Sequence, residues 1–460
     1  MTLAIVDMIP KSLSGEHEQD SEPNIAVNPE NPLQIVGTAF TPDPAHGPRA
    51  PIYVSSDGGA TWSLRTIVPG GEATADISVA FGTKGGALYA GILNFSTFAL
   101  NILRTRDPFA TTAMKTLVDR PNEDQPWVTS ATRVGRDRVF VSHNDFNRAP
   151  QSATIELSRD ARTRAAPAGF KRHVTEHRET LGQDGPPVRT AVGSGGRVYG
   201  AYQRWVKVVK QSFASLDVRM DVCVVRDDDL GKGPRPFTDL KDPGDGEVGV
   251  RVAKNRLVHF TAGNGPLGQE RIGADLSIAV DPANDANVWL AWCDRPGGLK
   301  SRAWTLHVRR STDRGRTWSD DVRTVEKAKN PALAVNDQGL VGLMLQQLEG
   351  SGTTARWRTR LELTIDAWAT APAALVLHQA RASRPRRQFL PYLGDYIRLI
   401  TVGSEFFGVF SGSNRPDMAN FPNGVSYQRN ANFTTHTLLR NDGVTPVPVS
   451  IDPFFVHYVP

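Results

Sequence analysis

The sequence predicts a single seven-bladed β-propeller, and three observations support that prediction. A pair of short apolar strands with a turn between them recurs seven times in 460 residues, at intervals of roughly 50 to 90 residues. Two eight-residue turn motifs follow such pairs. We find no long stretch with the 3.6-residue periodicity of helices, which argues against an alternating strand–helix array. The alternative is a six-bladed propeller with an inserted hairpin region.

The clearest copies of the strand pair are residues 22–40 and 274–292. In both, an Asn-Pro or Asp-Pro turn joins two apolar strands, because proline fixes the turn dihedral and Asx side chains bond the local backbone. Weaker copies occur at 75–93, 125–143, 187–203, 331–347 and 394–412. We therefore expect residues 1–460 to form one propeller domain. Residues 207–268 are predicted to be a long insertion or extended loops within the fourth blade, because they are too few for an independent core.

Composition and charge exclude several classes of function. The net charge of +5 is small, and the basic residues are scattered rather than gathered on one face as in nucleic-acid-binding proteins. Cys223 and Cys293 lie in strand-like segments and are expected to be buried free thiols. No apolar run is long enough to span a membrane, and the N-terminus lacks the features of a signal peptide. We expect a soluble monomer without nucleic-acid or membrane partners, cytoplasmic as written or secreted if a leader had been removed.

The two turn motifs, residues 55–62 and 311–318, both read S-x-D-x-G-x-T-W. Each position has a task in a hairpin turn. The Asp carboxylate can accept backbone N–H groups, Gly permits a positive φ, and Trp packs against the sheet. The residues with these structural roles are Ser55, Asp57, Gly59, Trp62, Ser311, Asp313, Gly315 and Trp318.

At these residues the sequence resembles the sialidase-like, or BNR/Asp-box, propeller superfamily. The resemblance implies a propeller over nearly the whole chain, with the Asp boxes on the face away from the active site. True sialidases carry an Arg-Ile-Pro motif on an early strand, but here the first repeated strand reads Glu22-Pro23-Asn24-Ile25. Sialidase chemistry therefore does not transfer residue by residue, because one propeller fold hosts many functions.

Candidate catalytic residues lie where the innermost strands begin and where the second strands end. In a propeller these positions ring one mouth of the central channel. Crowded carboxylates shift one another's pKa values, His titrates near neutral pH, and some glycosidases use a Tyr nucleophile. The candidates are Asp124, His143, Asp145, Asp184, Asp275, Asp395 and Tyr396.

Further polar residues at the same positions are predicted to bind substrate: Glu22, Asp76, Arg189, Arg204, Arg271, Asp294, Arg295 and Asn414. No cofactor is required, although Glu22, Asp76, Asp124 and Asp395 could supply oxygen ligands for Ca²⁺ or another divalent cation. At any single position the alternative is structural, since Asx residues often end strands by bonding neighbouring N–H groups.

Three functions follow from these residues. The first is a carbohydrate-active enzyme, a glycoside hydrolase or polysaccharide lyase, acting at the channel mouth. The second is a non-catalytic propeller that binds a glycan, a metal or a protein. The third is a metal-dependent enzyme for a non-glycan substrate. The expected partner is a carbohydrate or another small polar ligand.

Overall fold

The computed structural model describes residues 1–40, 49–163, 169–182, 188–212, 215–265, 268–271, 275–299, 304–385 and 393–460. In these ranges the named strands pair antiparallel, and the helical segments are three 3₁₀ turns at Lys11–Leu13, Gly352–Thr354 and Met418–Asn420. The all-β prediction is confirmed, and the arrangement is consistent with a β-propeller.

After the N-terminal strand β1 (Thr2–Asp7), the first three sheets follow one another in chain order. Sheet I contains β2 (Ser21–Val27), β3 (Ile35–Phe40), β4 (Ile52–Ser55) and β5 (Ser63–Arg65). Sheet II contains β6 (Thr74–Phe81), β7 (Leu88–Asn94), β8 (Leu100–Thr105) and β9 (Lys115–Arg120). Sheet III contains β10 (Glu123–Arg133), β11 (Arg136–Asp145), β12 (Ser152–Ser158) and β13 (Phe170–Val174).

Sheet IV contains β14 (Arg189–Val192), β15 (Val198–Ser212), β16 (Ser215–Asp227), β17 (Val250–Gly265) and β18 (Gly268–Arg271). The predicted insertion, 207–268, falls on its three long strands and their connections. Sheet V contains β19 (Leu276–Val280), β20 (Val288–Asp294), β21 (Thr305–Ser311) and β22 (Arg323–Glu326). Sheet VI contains β23 (Ala328–Val335), β24 (Val341–Glu349), β25 (Arg356–Thr364) and β26 (Ala373–Arg381).

Sheet VII joins the two ends of the chain. It is built from β27 (Arg398–Val402), β28 (Glu405–Ser413), the C-terminal β32 (Ile451–Val459) and β1, in that order. Between β28 and β32 lies a small sheet of β29 (Ala431–Asn432), β30 (Thr437–Leu439) and β31 (Pro446–Val447). Because β1 pairs with β32 from Thr2↔Val459 to Asp7↔Phe454, the last sheet cannot be completed without the N-terminus.

The first strand of each sheet from I to VII contacts the first strand of the next, and β27 contacts β2. The first strands of these sheets therefore contact one another in a closed series. Apolar side chains fill the space between each neighbouring pair of sheets, including the pair VII and I. At that last junction the rings of Trp62 and Phe455 meet edge to face with centroids 5.4 Å apart. Burial between sheets, roughly 25 cal/mol per Å² of apolar area, is what holds the ring closed.

Both cysteines are buried and free, as predicted. Among the described residues, no helix combines the length and hydrophobicity needed to cross a bilayer.

The turns at 55–62 and 311–318 have the same hydrogen bonds. In the first, Asp57 accepts the Thr61 backbone N–H at 2.9 Å, Ser55 Oγ accepts Gly59 N–H at 2.8 Å, and Trp62 Nε1 donates to Gly59 O at 3.0 Å. Partial burial raises the pKa of Asp57, but hydrogen bonds from the Thr61 hydroxyl and backbone N–H and from the Ser55 hydroxyl outweigh it and hold that pKa below its usual value.

A third turn of this kind was not identified from the sequence. Thr364 Oγ1 accepts the Trp368 N–H at 3.0 Å, and Asp366 accepts the Thr370 N–H at 3.1 Å. Trp368 stands where the other turns have glycine and has a φ of +62°. The T-x-D-x-x-x-T spacing could have identified this turn, but the motif of the other two turns includes a glycine that this turn lacks.

Gly59→Ala is expected to destabilise the protein by about 2 kcal/mol more than Gly315→Ala. Both glycines have positive φ, so both substitutions strain the backbone similarly. A Cβ on Gly59 would lie 2.0 Å from the Phe455 ring, whereas on Gly315 it would lie 3.3 Å from Leu240, and overpacking costs about 1–3 kcal/mol. Denaturant unfolding of the two variants measures the difference; equal losses would contradict the prediction.

Candidate functional site

Three of the first strands, β2, β10 and β23, have a residue with positive φ near their start. Glu22, Gln125 and Asn330 have φ values of +51°, +52° and +52°, and each precedes a proline. Register shifts mark the same points, between Ser21 and Asn24 in β2 and between Lys329 and Ala332 in β23. A positive φ is uncommon for a non-glycine residue, and a bulge changes the direction of the side chains beside it, so the backbone is strained where these strands begin.

Tyr396 reaches across this end of the channel. Its hydroxyl donates to Asp76 Oδ1 at 3.1 Å, linking the entry to sheet VII with sheet II. Burial and the neighbouring carboxylates of Asp76 and Glu22 raise the pKa of Tyr396 well above its usual value. The phenol is therefore protonated at neutral pH, and its hydrogen is directed to Asp76 Oδ1. Glu22 Oε1 accepts the backbone N–H of Asp395 at 3.2 Å.

Arg189 and Asp275 form a buried ion pair beside Tyr396. Arg189 Nε donates to Asp275 Oδ1 at 2.8 Å, and its guanidinium lies 3.8 Å from the centre of the Trp127 ring. Burial raises the pKa of Asp275 to about 7, with Arg189 opposing the rise and Asp395 adding to it. Asp275 therefore exchanges its proton near neutral pH, as a general acid or base must.

Arg398 also lies against the Trp127 ring. Its guanidinium carbon is 4.3 Å from the Trp127 ring centre, and Nη2 donates to Val128 O at 3.5 Å. Burial and Arg189 lower the pKa of Arg398 to about 9, so it stays cationic at pH 7. Within the described part of the chain its Nη1 has no hydrogen-bond partner. Arg398 lines a channel cavity of about 240 Å³ together with the inner strands of sheets IV to VII.

We call these residues the channel cluster: Glu22, Asp76, Trp127, Arg189, Asp275, Asp395, Tyr396 and Arg398. It brings together six of the residues predicted from the sequence. Two were missed, Trp127 and Arg398. Arg398 lies two positions after Tyr396, and Trp127 two after Gln125, so strand alternation was the available signal. Asp124, which is half-buried, accepts the Gln125 N–H at 2.9 Å.

His143 and Asp145 are fully buried and belong to a separate group on the strands of sheet III. His143 Nδ1 lies 2.5 Å from Glu123 Oε2, and Arg172 bonds Glu123 and Asp145 at 2.6 and 3.1 Å. Burial raises the pKa of Glu123, while His143 opposes the rise. This arrangement satisfies charge inside the sheet stack rather than presenting His143 at the channel cluster.

Four more residues predicted to bind substrate form hydrogen bonds away from the channel cluster. Arg204 of β15 donates to Asp221 at 3.0 Å, and Arg295, which follows β20 of sheet V, donates to Asp217 at 3.2 Å. Asp294 accepts the Trp292 indole N–H at 3.1 Å, and Asn414 donates to Asp452 at 2.7 Å. Asp184 lies outside the described residues, as does the side chain of Arg271.

In the described part of the chain, no three His, Cys, Asp or Glu side chains are grouped so that they could hold a metal ion. Glu22, Asp76, Asp124 and Asp395, proposed above as Ca²⁺ ligands, are described and do not form such a group. Asp76 accepts the Tyr396 hydroxyl, and Glu22 and Asp124 accept backbone N–H groups.

No family model matches the chain, and no curated protein matches its sequence. Among solved structures, the chain is similar to a protein of unknown function from Dyadobacter fermentans, with 12% identity and a TM-score of 0.46 over 98% of this chain and 97% of that one. It is also similar to the α-L-arabinanase of Penicillium chrysogenum complexed with arabinobiose, with 10% identity and a TM-score of 0.43 over 98% of each chain. A third similarity is to the endosialidase of phage phi92, with 11% identity and a TM-score of 0.40 over 99% of this chain and 69% of that one. At these values the similarities carry no argument about activity, so function is inferred from the residues of this chain.

Proposed function

We propose that the protein is a seven-bladed propeller, with sheets I to VII as its blades, and that it acts on a glycan at the channel cluster. The observation that carries the proposal is the contact of Tyr396 with Asp76 beside the Arg189–Asp275 pair. These groups come from four different sheets or their entries, and they are held in different protonation states by their surroundings.

Each group has a chemical task. In a hydrolase, Asp76 takes the proton of Tyr396 as the phenol oxygen attacks the anomeric carbon and the bond to the leaving oxygen breaks, and water then releases the sugar from Tyr396. In a lyase, the phenol oxygen accepts a proton from the sugar ring as its own proton passes to Asp76, and the bond to the leaving oxygen breaks. Asp275, half-protonated near pH 7, protonates the leaving oxygen. Arg189 and Arg398 neutralise negative charge, and Trp127 offers an aromatic face. A hydrolase and a lyase both fit these roles.

The test is a panel of neutral and acidic polysaccharides incubated with the full chain. Reducing ends report cleavage, and ultraviolet absorbance of an unsaturated uronate distinguishes a lyase from a hydrolase. Asp275→Asn should abolish most turnover, whereas Asp320→Asn, an exposed carboxylate elsewhere, should not. Absence of turnover on every glycan, or full activity in Asp275→Asn, would contradict the proposal.

The pH profile provides a second test. Because the pKa of Asp275 is raised to about 7, the acid form is lost as pH rises through 7. We expect log(kcat/KM) to fall on the alkaline side of an apparent pKa near 7, and the residual activity of Asp275→Asn to lack that limb. A profile unchanged by the substitution would remove Asp275 from the role of acid.

A second candidate is a non-catalytic propeller that binds a glycan. The burial of Tyr396, 3% exposed, and of Asp275, 4% exposed, favours it, because a reacting sugar must reach both. Binding without conversion in the same panel would select this alternative.

A further inference from the structure

A second concave site lies apart from the channel cavity. It is a groove of about 310 Å³ between the outer strands of sheet VI and the segment that follows β28. Four arginines line it, and we call it the arginine groove: Arg356, Arg381, Arg384 and Arg415. Arg356 begins β25 and Arg381 ends β26, and the two are paired across the sheet.

The positive charge of the groove is not neutralised within the described part of the chain. No carboxylate there lies within ion-pair distance of Arg356, Arg381 or Arg384, and the groove contains one acidic residue, Asp417. Asp417 Oδ2 lies 3.8 Å from Arg415 Nε, while its Oδ1 accepts the Ala419 N–H at 3.0 Å. All four arginines are exposed, so their guanidinium groups are available to a ligand.

Other arginines of the protein are paired with carboxylates. Arg323 bonds both oxygens of Glu362, at 2.9 and 2.7 Å, and Arg178 bonds both oxygens of Asp245, at 2.8 and 2.6 Å. Four arginines facing one groove repel one another, an arrangement that a bound anion stabilises.

The groove lies at the same end of the sheets as the channel cluster. Lys329, at the start of β23, is paired with Gln346 near the end of β24. At that same end of sheet VI, Glu349 is paired with Arg356 and Arg356 with Arg381. Gln346 accepts from Asn330 Nδ2 at 2.9 Å and donates to Ser411 O at 3.0 Å. Between Gln346 and Arg381 is a small cavity of about 10 Å³. A chain-like ligand could therefore contact both places from one side of the molecule.

The lining of the groove indicates what kind of anion it takes. Guanidinium groups bond carboxylate and sulfate oxygens in pairs, and Ser413 and Asn420 add further polar groups. No aromatic ring is among the described lining residues, whereas proteins that bind single-stranded nucleic acids stack the bases on such rings. The chemistry favours an acidic carbohydrate over a nucleic acid.

We propose that the arginine groove binds the carboxylate or sulfate groups of an acidic oligosaccharide whose reacting sugar lies at the channel cluster. The substrate class is therefore an acidic glycan. The position of the reacting sugar rests on the proposed function, whereas binding of the acidic groups rests on the groove alone.

Isothermal titration calorimetry of the full chain at low ionic strength tests the groove. The probes are a galacturonate hexamer, a sulfated heparin hexasaccharide and neutral maltohexaose. Arg381→Gln combined with Arg384→Gln should weaken binding of whichever acidic hexamer binds tighter by roughly tenfold or more, because each loses a charge-assisted bond. The matched control, Arg106→Gln combined with Arg316→Gln, removes the same charge from exposed residues at the opposite end of the sheets and should change Kd less than twofold.

The outcomes separate the two proposals. Tight binding of an acidic hexamer by both wild type and Asp275→Asn, without turnover by either, supports the groove and contradicts the proposed enzymatic function. Turnover of a neutral glycan that is unaffected by the groove substitutions supports the enzyme and overturns the groove. Equal weakening in the control pair, equal binding of maltohexaose, or tighter binding of an oligothymidylate than of either acidic hexamer would also overturn it.

Discussion

Tyr396→Phe is expected to lower kcat on a glycan substrate by about 10²–10⁴-fold, the range that a positioned proton-transfer group contributes. The substitution removes one oxygen and keeps the ring against Trp127, where the centroids lie 5.8 Å apart. The hydroxyl that donates to Asp76 is lost, so residue 396 has no oxygen with which to attack the sugar or to pass a proton to Asp76. Steady-state kinetics on the substrate identified in the glycan panel measures the effect.

Tyr427→Phe is the matched control for this loss. Tyr427 is half-buried and its hydroxyl donates to Asn414 O at 3.1 Å, but it lies among the aromatic residues around Phe454, away from the channel cluster. It should keep the wild-type kcat. Thermal unfolding should show both variants folded; a folded Tyr396→Phe protein with wild-type kcat would exclude Tyr396 from the chemistry.

Arg429→Met is expected to destabilise the protein by about 3–5 kcal/mol at pH 7 to 8, the cost of leaving buried charge without its partner. Arg429 is 2% exposed and donates to Asp452 Oδ2 at 2.7 Å and to the carbonyls of Ser14 and Glu16. It therefore ties the N-terminal segment to β32, where the ring of sheets closes. Denaturant unfolding monitored by tryptophan fluorescence gives the free energy.

The loss should shrink as the pH falls toward about 5. Burial, followed by neighbouring carboxylates, raises the pKa of Asp7 and of Glu16 well above their usual values, and Arg429 opposes both shifts. A carboxyl whose folded pKa is raised destabilises the fold as pH rises from its unfolded pKa, near 4, through its folded pKa. Removing Arg429 enlarges that penalty at high pH, whereas protonation at low pH removes it.

Lys232→Met is the control for the stability loss in Arg429→Met. Its ion pair with Asp229 is exposed on both sides, at 42% and 56%, so its loss should cost less than about 1 kcal/mol and vary little with pH. Equal losses in Arg429→Met and Lys232→Met, or a loss in Arg429→Met that grows on acidification, would show that Arg429 does not compensate the buried carboxylates.

The local sequence was sufficient to predict the repeated strand pairs and the turns at 55–62 and 311–318. Alternation of apolar residues and Asx-Pro turns are short-range signals, and the hydrogen bonds of the turn at 55–62 all join residues at most four apart. The same logic failed at Trp368, because sterics alone would place glycine at a φ of +62° and the packing of its ring against Trp289, with centroids 5.9 Å apart, is not visible in the local pattern.

The grouping of polar residues at strand ends was predicted only in outline. Sequence position placed His143, Asp294 and Tyr396 in equivalent settings, yet the fold buries His143 against Glu123 and Asp294 beside Trp292. Which face of a sheet each side chain occupies depends on bulges and on the partner sheet, and these are properties of the assembled ring.

The sequence by itself determined an all-β chain of repeated strand pairs and the turns that separate them, because these depend on neighbours within a few residues. Only the tertiary structure decided that Tyr396 meets Asp76, 320 residues away, and that Arg189 pairs with Asp275, 86 residues away. Such contacts form when closure of the ring brings the starts of the inner strands to one end of the channel. Their protonation states follow from that burial, since desolvation raises the pKa of Asp275 and Tyr396 only after the surrounding sheets have excluded water.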